Sequence, residues 1–168
     1  MTAVPDDERA QAAALLPELE AHEAELRFTR FDEDVAWALG VRLVEAGRAA
    51  GLPIVVSVRR NGQRLFHAAL PGAAADNDAW AERKSRVVDR FSKRSFRVGR
   101  ECAAGGRTFE ETFRLDADTY AAHGGAFPVH VLGTGVVGTV AVSGLPQADD
   151  HAFVVEHLRA YLLSVAEG

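Results

Sequence analysis

The stretch IVVSVRR-NG-QRLFHAAL, residues 54–70, places a β-branched run and a second strand-like run on either side of Asn61-Gly62. Asn-Gly between two such runs is the strongest short signal for a β-hairpin, because both turn positions need a positive φ. A second hairpin is predicted from Val129–Leu132 and Val136–Ser143. Strands joined by tight turns are antiparallel, so the sequence favours an α+β fold over a doubly wound one.

Helices and one further strand complete the prediction. The order is α, β, α, β, β, α, short α, β, β, α, which gives a sheet of about five antiparallel strands with flanking helices. The remaining elements are a helix over Asp6–Leu16 ended by Pro17, a strand within Glu25–Phe31, a helix from an Asp32 cap to Gly51, a long helix from Asp76, Asn77 or Asp78 to about Cys102, a short helix at Thr108, and a last helix from Asp149 or Asp150 to about Val165.

Composition limits the class of protein. The chain has 168 residues, of which 48% are apolar and 26% charged, as in an ordinary globular domain. We predict a single domain over residues 1–168, with an acidic N-terminal helix within 1–17 and a core over 19–165. The one cysteine, Cys102, excludes an internal disulfide. No apolar run reaches the roughly 20 residues of a membrane span, and Met1–Arg9 has no signal-peptide stretch. We therefore expect a cytoplasmic protein without a membrane segment.

The segment from Arg83 to Arg100 concentrates the positive charge, with eight of the nineteen Lys and Arg residues of a chain whose net charge is −5. Such a face attracts polyanions, but it lacks the interleaved aromatic residues of a nucleic-acid platform. We favour a face that is solvated, or paired with the acidic N-terminal helix or a neighbouring subunit, and we expect no nucleic-acid partner. On the other face Lys84 interrupts an apolar stripe. That lysine must either snorkel to solvent or meet an anion, such as a ligand carboxylate or phosphate.

Few patterns indicate catalysis. Gly133-x-Gly135-x-x-Gly138 runs into a strand instead of a helix, so it is not a dinucleotide fingerprint. Ser143 is not in a nucleophile elbow, and no two histidines have zinc-site spacing. Cys102 lies on the apolar stripe and is expected to be a buried structural thiol. Catalytic residues stay unknown, and no enzymatic activity is assigned.

Three stretches resemble a known family. They are Gly124–Val129, Gly135–Gly144 and Asp149-Asp150-His151. Together they resemble the haem-degrading, GlcG/HbpS-like domain family. Trp80–Lys84 and Tyr120–Gly125 look more specifically like its branch of small uncharacterised bacterial and fungal proteins. The resemblance implies a profilin-like or PAS-like α+β fold, a homo-oligomer, and haem as a ligand that some relatives bind. No Cys-x-x-Cys-His is present, so any haem would be noncovalent.

A ligand site is predicted around the Gly124-Gly125 loop. Its glycines would offer backbone donors, Trp80 and Phe127 apolar surface, and Arg83 and Lys84 cations for haem propionates or another small anion. The predicted ligand-binding residues are Trp80, Arg83, Lys84, His123, Gly124, Gly125, Phe127 and Pro128. His123 is the candidate ligand of haem iron, chosen for its imidazole chemistry and not from the family. The alternative is a noncatalytic oligomeric scaffold or accessory protein, in which the same glycines allow close packing.

Overall fold

Four antiparallel strands form the central sheet of the computed structural model, which describes residues 3–168. The first two residues of the predicted domain lie outside this range. The strands are β1 (Val55–Arg60), β2 (Gln63–Ala69), β3 (Ala126–Val131) and β4 (Gly135–Ser143), in the order β2-β1-β4-β3. Asn61 and Gly62 join β1 to β2 with φ angles of 48° and 79°. Both predicted hairpins and the α+β class are therefore confirmed.

The predicted fifth strand within Glu25–Phe31 is wrong, and the strand count is four. Glu25 still belongs to the first helix, and only Phe28 reaches the sheet, as an isolated parallel bridge to Val131. Its amide donates to the His130 carbonyl at 2.8 Å, and its carbonyl accepts from Leu132 N at 2.8 Å. This one residue covers part of the outer edge of β3, which limits edge-to-edge pairing there.

Helices cover both faces of the sheet. Val56, Val58, Val140 and Val142 form one buried core with Leu39, Leu43, Val154 and Leu158 of the second and last helices, whereas Ala141 packs against Ala81 and Val88 of the third helix on the opposite face. Strand β1 is buried on both faces because both layers cover it. The helices are α1 (Asp6–Glu25), α2 (Glu33–Ala49), α3 (Ala75–Phe91), α4 (Ser95–Ala104), α5 (Phe109–Phe113) and α6 (Gln147–Ala166). Among the described residues, none of these helices has the length and apolar character needed to cross a bilayer.

Two predicted helix ends are wrong. The first helix continues through Pro17 to Glu25; proline removes one backbone donor, but the second half of α1 is held by ion pairs to α4. The predicted long helix to Cys102 is two helices. Ser92 takes a left-handed conformation with φ 53°, and α4 begins at Ser95. The apolar stripe therefore does not continue on one face from α3 into α4.

Helix starts were predicted with mixed success. Asp32 accepts from Val35 N at 2.9 Å, and Thr108 starts the predicted short helix with a capping box to Glu111. The other two starts are wrong. Helix α3 begins at Ala75, where Asn77 only accepts from Ala74 N at 2.8 Å. Helix α6 begins at Gln147 after Pro146, ahead of both predicted aspartates.

Charge, more than apolar contact, holds α1 against α4. Only Ala12 and Leu19 are buried in α1. Arg97 donates to Glu23 at 2.6 Å and to Glu20 at 2.9 Å. Arg94, which has 0% of its surface exposed, meets Glu23 through both its backbone amide and its guanidinium. Of the predicted alternatives for the basic face, pairing with the N-terminal helix is the one seen here, but through Glu20 and Glu23, which lie beyond the residues predicted for that helix.

Glu23 should be the energetic centre of this contact. Glu23→Gln leaves a buried guanidinium without a counter-charge, so we expect a loss of about 3 kcal/mol in the free energy of unfolding. Glu20→Gln is the matched control, because Glu20 is largely exposed and its pair with Arg97 is expected to contribute less than about 1 kcal/mol. Urea unfolding of both variants measures the difference. Equal losses would contradict the assignment.

Candidate functional site

A buried ion pair organises the open end of the sheet. Lys84 of α3 and Asp150 of α6 are each 2% exposed, and their Nζ and Oδ2 atoms are 3.1 Å apart. Lys84 Nζ also donates to the carbonyls of Gly124 at 2.9 Å and Val142 at 2.8 Å. Burial lowers the pKa of Lys84 and raises the pKa of Asp150, and their mutual attraction opposes both shifts. Lys84 neither snorkels nor stands free for a ligand: the anion that it meets is Asp150.

The two glycines of the predicted loop let the backbone approach this pair. A Cβ on Gly124 would lie 2.0 Å from the Gln147 carbonyl oxygen. Gly125 has a φ of 124°, and its Cβ would lie 2.6 Å from Lys84 Nζ. The Gly124 amide donates to Gln147 Oε1 at 3.2 Å, so it is not free to bind a ligand. The close-packing role of the glycines, raised as part of the scaffold alternative, is what the structure shows at this loop.

A groove of about 260 Å³ opens beside the ion pair, and we call it the Trp80 groove. It lies where the start of α3, the end of β4 and the start of α6 meet. Its lining residues are Asp76, Asn77, Trp80, Lys84, His123, Gly124, Ser143, Gly144, Leu145, Gln147 and Asp150. Four of the predicted ligand residues therefore come together here: Trp80, Lys84, His123 and Gly124.

His123 stands at the mouth of the Trp80 groove. Its ring meets Trp80 edge to face, with centroids 5.1 Å apart. Burial, then the nearby Lys84 ammonium, lowers the pKa of His123 below its ordinary value, so the imidazole is neutral at pH 7. Arg83 stacks on the Trp80 ring at 4.2 Å and donates to the Ala117 carbonyl at 2.6 Å. Arg83 is thus part of the wall behind Trp80 and does not line the groove.

The other side of His123 faces a second groove of about 320 Å³, which we call the Arg100 groove. It lies between the start of α1, α4 and α5. Its lining residues are Ala3, Val4, Pro5, Glu8, Gly99, Arg100, Ala103, Arg107, Thr108, Phe109, Glu110, Ala122 and His123. Arg100 Nε is buried there without a hydrogen-bond partner among the described residues. Nothing in the sequence motifs pointed to this groove, because its walls come from three separate segments.

Phe127 and Pro128 lie away from both grooves. They are buried in β3, and Phe127 belongs to the core beneath α2 and α6. The guanidinium of Arg94 covers the Phe127 ring at 4.6 Å. The expectation that Phe127 offers surface to a ligand is therefore corrected, because the Phe127 side chain points into the core.

A second buried cluster surrounds Arg94 and was not predicted. Its Nη1 is 3.3 Å from His22 Nδ1 and 3.3 Å from His151 Nε2. His22 is half-buried here. Burial first, then Arg94 and His22, lowers the pKa of His151 to about 3. Burial and Arg94 also lower the pKa of His22. Both rings are therefore neutral and accept from, or pack against, the guanidinium.

The described residues offer no preformed metal or thiol chemistry. No group of three or more His, Cys, Asp or Glu side chains within 3–168 could hold a metal ion. Cys102 is buried, and burial raises the pKa of its thiol. It is the structural thiol that the sequence predicted.

The order of elements and the glycine-rich junction of β3, β4 and α6 define an α+β protein built on one antiparallel sheet. Within that class, the chain belongs to the family described as haem degrading protein HbpS-like, which it matches over residues 31–159. The resemblance stated from the sequence is confirmed. Helix α1 precedes the matched residues.

Similar proteins agree with this assignment. A UPF0303 protein of Streptomyces avermitilis is 58% identical over 147 residues, covering 88% of this chain and 90% of the relative. The crystal structure of the Ybr137w protein is 31% identical and has a TM-score of 0.82 over 95% of this chain and 97% of that one. HbpS itself shares the fold at 22% identity and a TM-score of 0.64, over 81% of this chain and 92% of that one. The PduOC:haem complex does so at 16% and 0.64, over 78% and 94%.

Acid should destabilise the protein through His151. The folded pKa is about 3, whereas an unfolded histidine titrates near 6.5. The unfolded state therefore binds an additional proton below about pH 6.5, and stability falls as pH falls. Between pH 6 and 5 this histidine alone should remove up to about 1.4 kcal/mol per pH unit. Urea unfolding at stepped pH should show a shallower slope in His151→Gln, with His130→Gln as control. An unchanged slope in His151→Gln would contradict the assignment.

Proposed function

We propose that this protein binds a small planar ligand of haem type, with His123 as the iron ligand, and that the ligand lies in the Arg100 groove. The observation that carries the proposal is the position of His123. Of the six histidines, His67 and His123 are exposed, and His67 is paired with Asp78. His123 makes no hydrogen bond within residues 3–168, is neutral, and borders two grooves. Neutral imidazole is the form that ligates haem iron.

The residues of the Arg100 groove suit such a group. Val4, Pro5 and Phe109 supply apolar surface, and Arg100 and Arg107 supply guanidiniums. The buried Nε of Arg100 lacks a partner, which a propionate oxygen would provide. Two carboxylates, Glu8 and Glu110, balance the two guanidiniums, so an anionic ligand meets no net repulsion. When bound, haem would supply an iron centre; the chain's own residues would hold its edge, orient it and exclude water.

The Trp80 groove is less suited to haem than the sequence implied. Lys84 is already paired with Asp150, and Arg83 is held behind Trp80 by its hydrogen bond to the Ala117 carbonyl. The predicted anionic ligand therefore loses both of its expected cations there. Trp80 keeps an indirect role, because its edge-to-face contact fixes the orientation of the His123 ring. The family description and the PduOC:haem neighbour support haem as the ligand to test first.

Haemin titration tests the proposal. The full chain should give a saturable Soret shift, and His123→Ala should weaken binding at least about tenfold, equivalent to about 1.4 kcal/mol. His157→Ala is the matched control, because His157 is half-buried on α6 beside Phe153 and away from the two grooves. Arg100→Gln should weaken binding without changing the iron-ligand spectrum. Equal binding by His123→Ala and wild type would remove His123 from the site, and no saturable shift would overturn the proposal.

A noncatalytic oligomeric scaffold is the second candidate, favoured by a separate surface. Trp37 is 64% exposed and packs edge to face on Phe66 of β2, at 5.6 Å between centroids. Strand β2 is the end of the sheet, with no strand paired on its outer side among the described residues. An exposed tryptophan beside an open sheet edge is suited to contact with a second copy of the chain.

Mass in solution tests the second candidate. Light scattering should give a multiple of 18.1 kDa. Trp37→Glu should shift the mass towards one chain, whereas Leu163→Glu, an exposed apolar position on α6, should not. A monomeric wild type would contradict the oligomer. We also propose that residues 1–168 form a single domain, and the cytoplasmic location stays a prediction.

A further inference from the structure

The Trp80 groove is lined by a largely buried serine whose hydroxyl has no partner within residues 3–168. Ser143, the last residue of β4, is 4% exposed and lines the groove on the α3 side of the sheet. Its hydroxyl makes no hydrogen bond to any residue within 3–168. Because the side chain borders the groove, the hydrogen-bond partner of the hydroxyl has to come from the groove, as water or as a bound ligand. Ser143 therefore marks a point where an oxygen or N–H from outside the chain is expected.

Two side-chain amides, those of Gln147 and Asn77, also line the groove, and the oxygen of each already accepts a hydrogen bond. Gln147 Oε1 accepts from the Gly124 amide, and Asn77 Oδ1 accepts from the Ala74 amide. Because an N–H must meet an oxygen, the NH₂ groups of both carboxamides stay available. Helix α6 begins after Pro146 without a side-chain cap, and the amides of Gln147 and Ala148 have no acceptor among the described residues. The groove presents hydrogen-bond donors with few matching acceptors.

Charge selects the type of acceptor. Lys84 and Asp150 are neutral as a pair, and His123 is neutral. The remaining charged group in the lining is Asp76, a carboxylate without an ion pair within residues 3–168. Asp76 would repel an anion, and this repulsion offsets the attraction of the free amides at the start of α6 for negative charge. An uncharged carbonyl oxygen meets the donors without that repulsion.

We propose that the Trp80 groove is a second binding site, which takes an uncharged ligand bearing an amide or similar carbonyl group. The carbonyl oxygen accepts from Ser143 and the Gln147 amide, and the apolar part of the ligand lies along Trp80. This site requires no iron ligand and no free cation, so it is separate from the proposed haem site even though His123 borders both.

Acetamide and acetate are matched probes for this site, since they share size and carbonyl and differ in charge. The readout is the indole N–H signal of ¹⁵N-labelled protein, which has two tryptophans, Trp37 and Trp80. Trp37→Phe assigns the two signals. We expect acetamide to shift the Trp80 signal saturably, with a Kd on the order of 10 mM for so small a ligand. Acetate should bind at least about tenfold more weakly, and the Trp37 signal should not move.

Ser143→Ala should abolish the saturable shift, whereas Ser57→Ala should leave it intact. Ser57 is an equally buried serine on the neighbouring strand β1 and does not line the groove. Both variants are checked for the wild-type spectrum first, and Ser143→Cys serves if Ser143→Ala does not fold. Equal shifts by acetate, the absence of any saturable shift, or binding that survives loss of the hydroxyl would each overturn the proposal. The haemin titration does not depend on Ser143, so failure of one site is distinguishable from failure of the other.

Discussion

The Lys84–Asp150 ion pair is the contact on which the open end of the molecule depends. One ammonium joins four segments: α3 carries it, α6 supplies its carboxylate, and the Gly124 and Val142 carbonyls complete its shell. Asp150 in turn accepts from the Leu145 amide at 3.1 Å. Breaking such a pair leaves an uncompensated buried charge, which is far more destabilising than the pair itself is stabilising. The pair therefore acts chiefly by fixing where α3, α6 and the glycine loop stand relative to β4.

That arrangement explains why glycine follows His123 twice. Any side chain at Gly124 would strike the backbone of α6, and any at Gly125 would displace the lysine. His123, immediately before them, is exposed and lines both grooves. This constraint inside the protein lies directly beside the histidine that we propose as the iron ligand. The same arrangement neutralises the cation that the sequence offered to that ligand.

Local chemistry could be predicted from the sequence, and long-range pairing could not. A turn or a helix cap is determined by the few residues that form it, as at Asn61-Gly62, Asp32 and Thr108. These features could therefore be predicted from the local sequence. Ser92 and Pro17 mislead, because no local signal marks the break after α3 or the continuation of α1. Both depend on Glu23 and the arginines of α4, some 70 residues away. For the site, a lysine on an apolar stripe correctly demanded an anion, but Asp150 stood among other acidic residues and nothing local singled it out.

The strand order has a consequence for synthesis of the chain. The β1–β2 hairpin is complete once residue 69 has left the ribosome, yet the inner edge of β1 pairs with β4, from Val55 opposite Ser143 to Arg60 opposite Gly138. Until β4 has been synthesised, one edge of the apolar strand β1 is unpaired, and α2 can pack on only two of the four strands. Folding must close that long loop late. The nascent protein is therefore most exposed to wrong strand partners during the interval in which the chain between the two hairpins is being made.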